Sequence, residues 1–65
     1  MRIVTDGESN TWICLELPSR GREAEPEVEV ECNSGAERVA IRVPRDWEGI
    51  PDPEFARRIL GALGR

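Results

Sequence analysis

Two cysteines, a row of alternating glutamates and two tryptophans are the side chains whose chemistry could give this chain a function. The sequence has no His, Lys, Tyr or Gln, so the commonest general base, the Schiff-base amine and the phenolic acid are all missing. A catalytic pair of carboxylates needs a cleft in which one pKa is raised, and a chain of 65 residues has little volume for a cleft. The composition therefore predicts a protein without enzymatic activity and without a cofactor.

Cys14 and Cys32 are the only soft metal ligands apart from the single methionine. Zinc and iron–sulfur sites normally take four ligands with close pairs such as C-x-x-C, which predicts that one chain holds no metal. A disulfide needs both cysteines on one face of neighbouring strands, whereas the alternation along residues 11–17 sets Cys14 on the face opposite Cys32. We expect two thiols packed as small hydrophobes. A thiol-based redox or metal module that uses both cysteines is one alternative function.

Glu27, Glu29 and Glu31 recur at every second residue, so they share one face of a strand. This density of negative charge could steer a basic partner toward the chain. The ordinary interpretation is a solvated strand face that Arg38 and Arg42 neutralise. A further alternative is an acidic mimic of nucleic acid that inhibits a DNA- or RNA-binding protein.

Trp12 is predicted to lie on the outer face of a small sheet, where a large aromatic side chain must be covered. A loop, a second copy of the chain or a partner must do so. With Cys14 beside it, Trp12 could centre an apolar island with a charged border, which is the anatomy of an interaction hot spot. The predicted protein interface comprises Trp12, Cys14, Glu27, Glu29, Glu31, Arg38 and Arg42.

The charge balance and the apolar runs bear on partners and compartment. The net charge is −4, the wrong sign for binding by phosphate neutralisation, so we expect neither a nucleic acid nor a membrane as partner. No apolar run has the length of a signal peptide or a membrane span, and two cysteines are too few for a disulfide framework. These features predict a cytoplasmic protein, and the use of Arg for every basic residue indicates a GC-rich genome.

Alternating apolar and polar residues between turn signals predict the elements that would position these side chains. The predicted strands cover residues 2–5, 11–17, 27–32 and 37–43, with a polar loop over 18–26. In the last hairpin, parity keeps the valines of both strands on one face. A two-residue turn would pair Val30 with Val39, and a four-residue turn over residues 34–37 would pair Val30 with Ile41.

The C-terminal third predicts a connection and one helix. Trp47 and Ile50 are expected to fold back onto the core, and Asp52-Pro53 suits an N-cap followed by the first helical position. The helix should cover residues 53–63. The chain is thus predicted to be a single α+β domain over residues 1–65, a small four-stranded antiparallel β-meander with one C-terminal helix packed on one face. The strand residues expected beneath the helix are Ile13, Leu15, Val28, Val30, Val39 and Ile41.

Two stretches, Thr5-Asp6-Gly7 with Trp12 after it and Pro44-Arg45-Asp46-Trp47 before the helix, carry a resemblance. They resemble small uncharacterised bacterial proteins in which an acidic-Gly turn precedes a tryptophan and a Pro-x-Asp-Trp element precedes a short amphipathic helix. The resemblance implies a compact β-rich unit with a helical tail, and no activity, cofactor or site residue comes with it.

Together these observations predict a non-catalytic protein–protein interaction module, an accessory or regulatory protein of a bacterial cytosol. The outer face of its sheet would bind a protein partner or form a homodimer, with Trp12 as the apolar anchor.

Overall fold

Four short strands and one helix follow the order that the hydrophobic pattern predicts. The computed structural model describes residues 1–18 and 25–64. Its elements are β1 (Arg2–Thr5), β2 (Thr11–Glu16), β3 (Glu27–Asn33), β4 (Arg38–Pro44), a single 3₁₀ turn (Trp47–Gly49) and α1 (Asp52–Ala62). The strands form one antiparallel sheet in the order β1-β2-β3-β4. The predicted α+β meander with its C-terminal helix is confirmed, and most of the loop predicted over 18–26 lies outside the described residues.

The β3–β4 hairpin has the four-residue turn. Cys32 lies opposite Val39, and Val30 lies opposite Ile41. The Ser34 backbone N–H donates to the Glu37 carbonyl at 2.9 Å, and Gly35 in the middle of the turn has a φ of 91°. Only glycine adopts this left-handed region without steric cost, so glycine suits this position of the turn.

The inner face of the sheet carries the core, and here the prediction for β2 is wrong. Trp12 and Cys14 are fully buried, whereas Ile13 and Leu15 are 45% and 47% exposed. Both faces of β2 are apolar, so the alternation alone could not choose between them. The larger Trp12 side chain is buried instead, because its indole N–H finds an acceptor in Asp6, at 2.8 Å from the carboxylate.

The remaining core agrees better with the expectation. Val28, Val30 and Ile41 are buried as predicted, and Val39 is partly buried against the core. The buried inner-face residues of the four strands are Val4, Trp12, Cys14, Val28, Val30, Cys32, Ile41 and Val43.

The C-terminal segment folds back over this face, as predicted for Trp47 and Ile50. Trp47 is 2% exposed, its ring stacks on Phe55 with centroids 5.6 Å apart, and its indole N–H donates to the Glu16 carboxylate at 3.0 Å. The helix buries Phe55, Ala56 and Ile59 at helical spacing. In the described part of the chain, no helix has the length and apolarity needed to cross a membrane.

Arg2 ties β1 to this C-terminal segment. Its guanidinium donates to the Trp47 carbonyl at 2.7 Å, to the Ile50 carbonyl and to the Asp52 carboxylate at 2.7 Å. It also lies 4.8 Å from the centre of the Phe55 ring, within cation–π range. The predicted N-cap at Asp52 is therefore displaced by one residue, because Pro51 occupies the cap position and Asp52 opens the helix with its carboxylate bound to Arg2.

Candidate interaction surface and cysteine pair

Three aliphatic side chains lie next to one another on the outer face of β1 and β2. Ile3 and Ile13 face each other directly across the two strands, and Leu15 lies two residues further along β2. Ile3 is 57% exposed, and the other two are nearly half exposed. We call these three residues the apolar patch. A contiguous exposed patch of this kind, unlike a single exposed leucine, marks a candidate contact surface.

A shallow hollow continues the apolar patch toward the β3–β4 turn. Its volume is about 340 Å³, and its lining comprises Thr11, Ile13, Leu15, Glu31, Asn33, Ser34 and Gly35. The Asn33 side chain is fixed there, because its Oδ1 accepts from the Gly35 backbone N–H at 2.7 Å. The hollow gives the outer face a place into which a side chain of another protein can fit.

Negative charge borders the apolar patch on β3. Glu31 lies opposite Leu15 on one side and Ala40 on the other, so neither neighbouring strand places a cation directly across from its carboxylate. Glu29 lies opposite Arg42. In the register, an arginine thus stands directly across from Glu29 and not from Glu31.

Arg42 is shared between two carboxylates. Its guanidinium lies 3.0 Å from the Glu25 carboxylate and 3.6 Å from that of Glu27. The hydrogen bond to Glu25 is the largest cause that raises the pKa of Arg42 above its usual value. Exposed pairs such as these contribute little to stability.

The structure divides the predicted interface between the two faces. Glu27, Glu29, Glu31, Arg38 and Arg42 share the outer face with the apolar patch, as the alternation of β3 and β4 requires. Trp12 and Cys14 belong to the inner face and are inaccessible, so neither can anchor a partner. The exposed aliphatic residues of the outer face are Ile3, Ile13 and Leu15.

A signal for this reversal was present in the sequence. A buried tryptophan needs an acceptor for its N–H, and Asp6 in the preceding turn is close enough along the chain to supply one. Had Trp12 been assigned inward on that ground, the odd-numbered aliphatic residues of β2 would have been assigned outward.

The two cysteines lie directly opposite each other on β2 and β3. Both side chains are fully buried on the inner face, and both are free thiols. The expectation that Cys14 and Cys32 lie on opposite faces is therefore wrong, for the same reason as the assignment of Trp12: the face of β2 is reversed. The sheet brings together two groups that the sequence analysis had separated.

The two thiols influence each other's ionisation. A hydrogen bond from the Cys32 thiol lowers the pKa of Cys14, burial opposes this effect, and the positive charge of Arg2 assists it. The hydrogen bond with Cys14 raises the pKa of Cys32, and burial raises it further. Cys14 is therefore the member of the pair that loses its proton first.

Metal ligation would need more donors than this pair supplies. Within residues 1–18 and 25–64, no three side chains of His, Cys, Asp or Glu converge where they could hold a metal ion. The chemistry open to the pair itself is that of two neighbouring thiols.

We compared the chain with protein-family models, with curated proteins and with solved structures, and none of the three comparisons found a match. The resemblance to small bacterial proteins with a Pro-x-Asp-Trp element stays a prediction.

Proposed function

We propose that this protein is a non-catalytic interaction module that binds another protein through the outer face of its sheet. The observation that carries the proposal is the apolar patch, three adjacent aliphatic side chains, each close to half exposed or more. The opposite face is packed under α1 and the Trp47 segment, so within residues 1–18 and 25–64 the outer face is the one left open for a partner.

The charges beside the apolar patch define the partner's chemistry. A partner that covers Leu15 also removes water from Glu31, whose neighbours directly across are Leu15 and Ala40. Burying a carboxylate without a counter-charge is costly, so the partner should bring an arginine or lysine to this position. The proposed partner therefore presents apolar side chains next to a cation.

The remaining charges act at longer range. The net charge of −4 and the glutamates of β3 attract a basic surface before contact, which raises the association rate more than the final affinity. The short-range contribution comes from the apolar patch, because central, desolvated contacts dominate binding energies while charges at the rim add little.

The experiment compares capture of proteins from the source lysate by three forms of the chain. These are the wild type, the double variant Ile13→Thr with Leu15→Thr, and the control Arg57→Thr on the exposed face of α1. A partner that meets the proposal is retained by the wild type and the control, is lost with the double variant, and binds Glu31→Gln more weakly. Threonine is β-branched and suits a strand, so the double variant should stay folded.

Two results would contradict the proposal. If the wild type retains nothing that the double variant loses, the apolar patch is not a binding surface. If light scattering gives the wild type twice the mass of one chain, and the double variant the mass of one, then the occupant is a second copy rather than a different protein.

A further inference from the structure

The position of Cys14 and Cys32 in the sheet can be refined from the hydrogen bonds nearby. The Leu17 N–H donates to the Glu29 carbonyl at 2.8 Å, which makes Leu17 and Glu29 a hydrogen-bonded pair. Hydrogen-bonded and non-hydrogen-bonded pairs alternate along an antiparallel ladder. Counting three steps back along the register places Cys14 and Cys32 in a non-hydrogen-bonded pair.

This type of pair brings side chains closest together. Directly opposite residues in it have Cα atoms about 4.5 Å apart, and disulfides span Cα separations of about 4.4–6.8 Å. Both side chains point to the same face, and no shift of register is needed to join them. The separation lies at the short end of the range, where a disulfide is more easily reduced than at its preferred spacing.

We propose that Cys14 and Cys32 form a redox-active pair that closes to a cross-strand disulfide and reopens by exchange with low-molecular-weight thiols and disulfides of the glutathione type. The proposal concerns the inner face only, so it stands independently of any partner on the outer face.

The exchange takes place in two steps. The Cys14 thiolate attacks one sulfur of the external disulfide, the S–S bond of that disulfide breaks, and one external thiolate leaves and takes up a proton. The Cys32 thiolate then attacks the Cys14 sulfur of the mixed disulfide and expels the second external thiol. The protein loses two electrons and two protons, and one external disulfide becomes two thiols.

Access to the buried sulfurs requires opening of the structure. Arg2 lies opposite Cys14 on the neighbouring strand β1. Its guanidinium binds the carbonyls of Trp47 and Ile50 and so holds this segment against the inner face. Exchange should therefore pass through a state in which this C-terminal segment has detached. The contacts of Arg2 then determine how fast the thiols are oxidised. The strand register determines that the product is the disulfide between Cys14 and Cys32.

The test exposes the folded protein to glutathione buffers with an increasing oxidised fraction. After an acid quench, the remaining thiols are alkylated with N-ethylmaleimide in denaturant, and the intact mass is measured. In reducing buffers we expect a chain that carries two N-ethylmaleimide groups. In oxidising buffers we expect a chain that carries none and is two hydrogens lighter than the reduced, unalkylated chain. Reduced glutathione should reverse the change. Arg2→Gln should reach the same end point at least about tenfold faster.

Single variants provide the control. Cys14→Ala and Cys32→Ala can each end only as a free thiol or as one mixed disulfide with glutathione. The proposal is overturned if the wild type keeps two alkylatable thiols in every buffer, or if its end product carries glutathione. It is also overturned if the internal disulfide appears only when the chain is refolded from urea in the same buffer.

Discussion

The indole N–H of Trp12 donates to the carboxylate of Asp6 at 2.8 Å, in the interior of the domain. The same carboxylate accepts the backbone N–H groups of Glu8 at 2.8 Å and Asn10 at 3.0 Å, so it organises the β1–β2 turn at the same time. This relationship fixes Trp12 on the inner face. By the alternation of the strand, it also fixes Cys14 inward and the aliphatic residues of β2 outward.

Trp12→Ala should unfold the protein rather than weaken a binding surface. Removing a fully buried tryptophan typically costs about 3–5 kcal/mol, which is close to the whole stability of a domain of this size. Circular dichroism during urea unfolding measures the loss. If Trp12→Ala leaves the unfolding curve unchanged but weakens association with a partner, then Trp12 lies on the outer face of the sheet in solution.

Stability should fall in acid because of Asp6. The hydrogen bond from Trp12, aided by backbone bonds from Asn10 and Glu8 and opposed by burial, lowers the pKa of Asp6 below its ordinary value of 3.8. A lowered carboxylate pKa means that the stabilisation is complete above the ordinary value and is lost as the pH falls through the lowered value. Urea midpoints measured across that pH range should decline for the wild type and change less for Asp6→Asn.

Arg2→Gln should destabilise the attachment of the C-terminal segment. The side chain of Arg2 is only 12% exposed and donates to two backbone carbonyls, so we expect a loss of about 1.5–3 kcal/mol. Asp52→Asn is the matched control, because it removes only the pair with an exposed carboxylate and should cost under about 1 kcal/mol. Equal losses in the two variants would mean that the ion pair, and not the carbonyl contacts, holds the segment.

The two faces of the sheet should respond differently to threonine. Ile13→Thr on the outer face is expected to change the free energy of unfolding by no more than about 0.5 kcal/mol. Val30→Thr on the inner face buries a hydroxyl in the core and should cost about 1–3 kcal/mol. If Ile13→Thr costs as much as Val30→Thr, then the apolar patch is buried in solution, which a dimer would explain.

The disulfide proposed between Cys14 and Cys32 should stabilise the oxidised protein. The disulfide would close a loop over residues 15–31 and so lower the conformational entropy of the unfolded chain. This raises the free energy of unfolding by about 3 kcal/mol, less any strain in the folded state. Urea unfolding of the oxidised and the reduced protein at equal pH measures the difference. An oxidised form less stable than the reduced one would show that the cross-strand geometry strains the bond by more than the loop closure gains.

The sequence by itself determined the order of the four strands and the helix and located their ends to within one residue. Alternation over β3 and β4 is unambiguous because glutamates and arginines occupy one face and valines the other. The aspartate-proline pair marks the start of α1 to within one residue. Each of these features depends on residues near one another in the chain, which is why local patterns predict them.

The tertiary structure decided which face of β2 is buried, and with it the candidate sites. Residues 11–17 have apolar side chains on both faces. Their alternation therefore separates two sets of side chains but does not indicate which set packs against the helix. That choice depends on the Asp6 acceptor for Trp12, on the Trp47 side chain bound to Glu16 and on the stack of Trp47 with Phe55. These contacts are satisfied together only in the folded domain, and they alone place the cysteines side by side and the apolar patch outside.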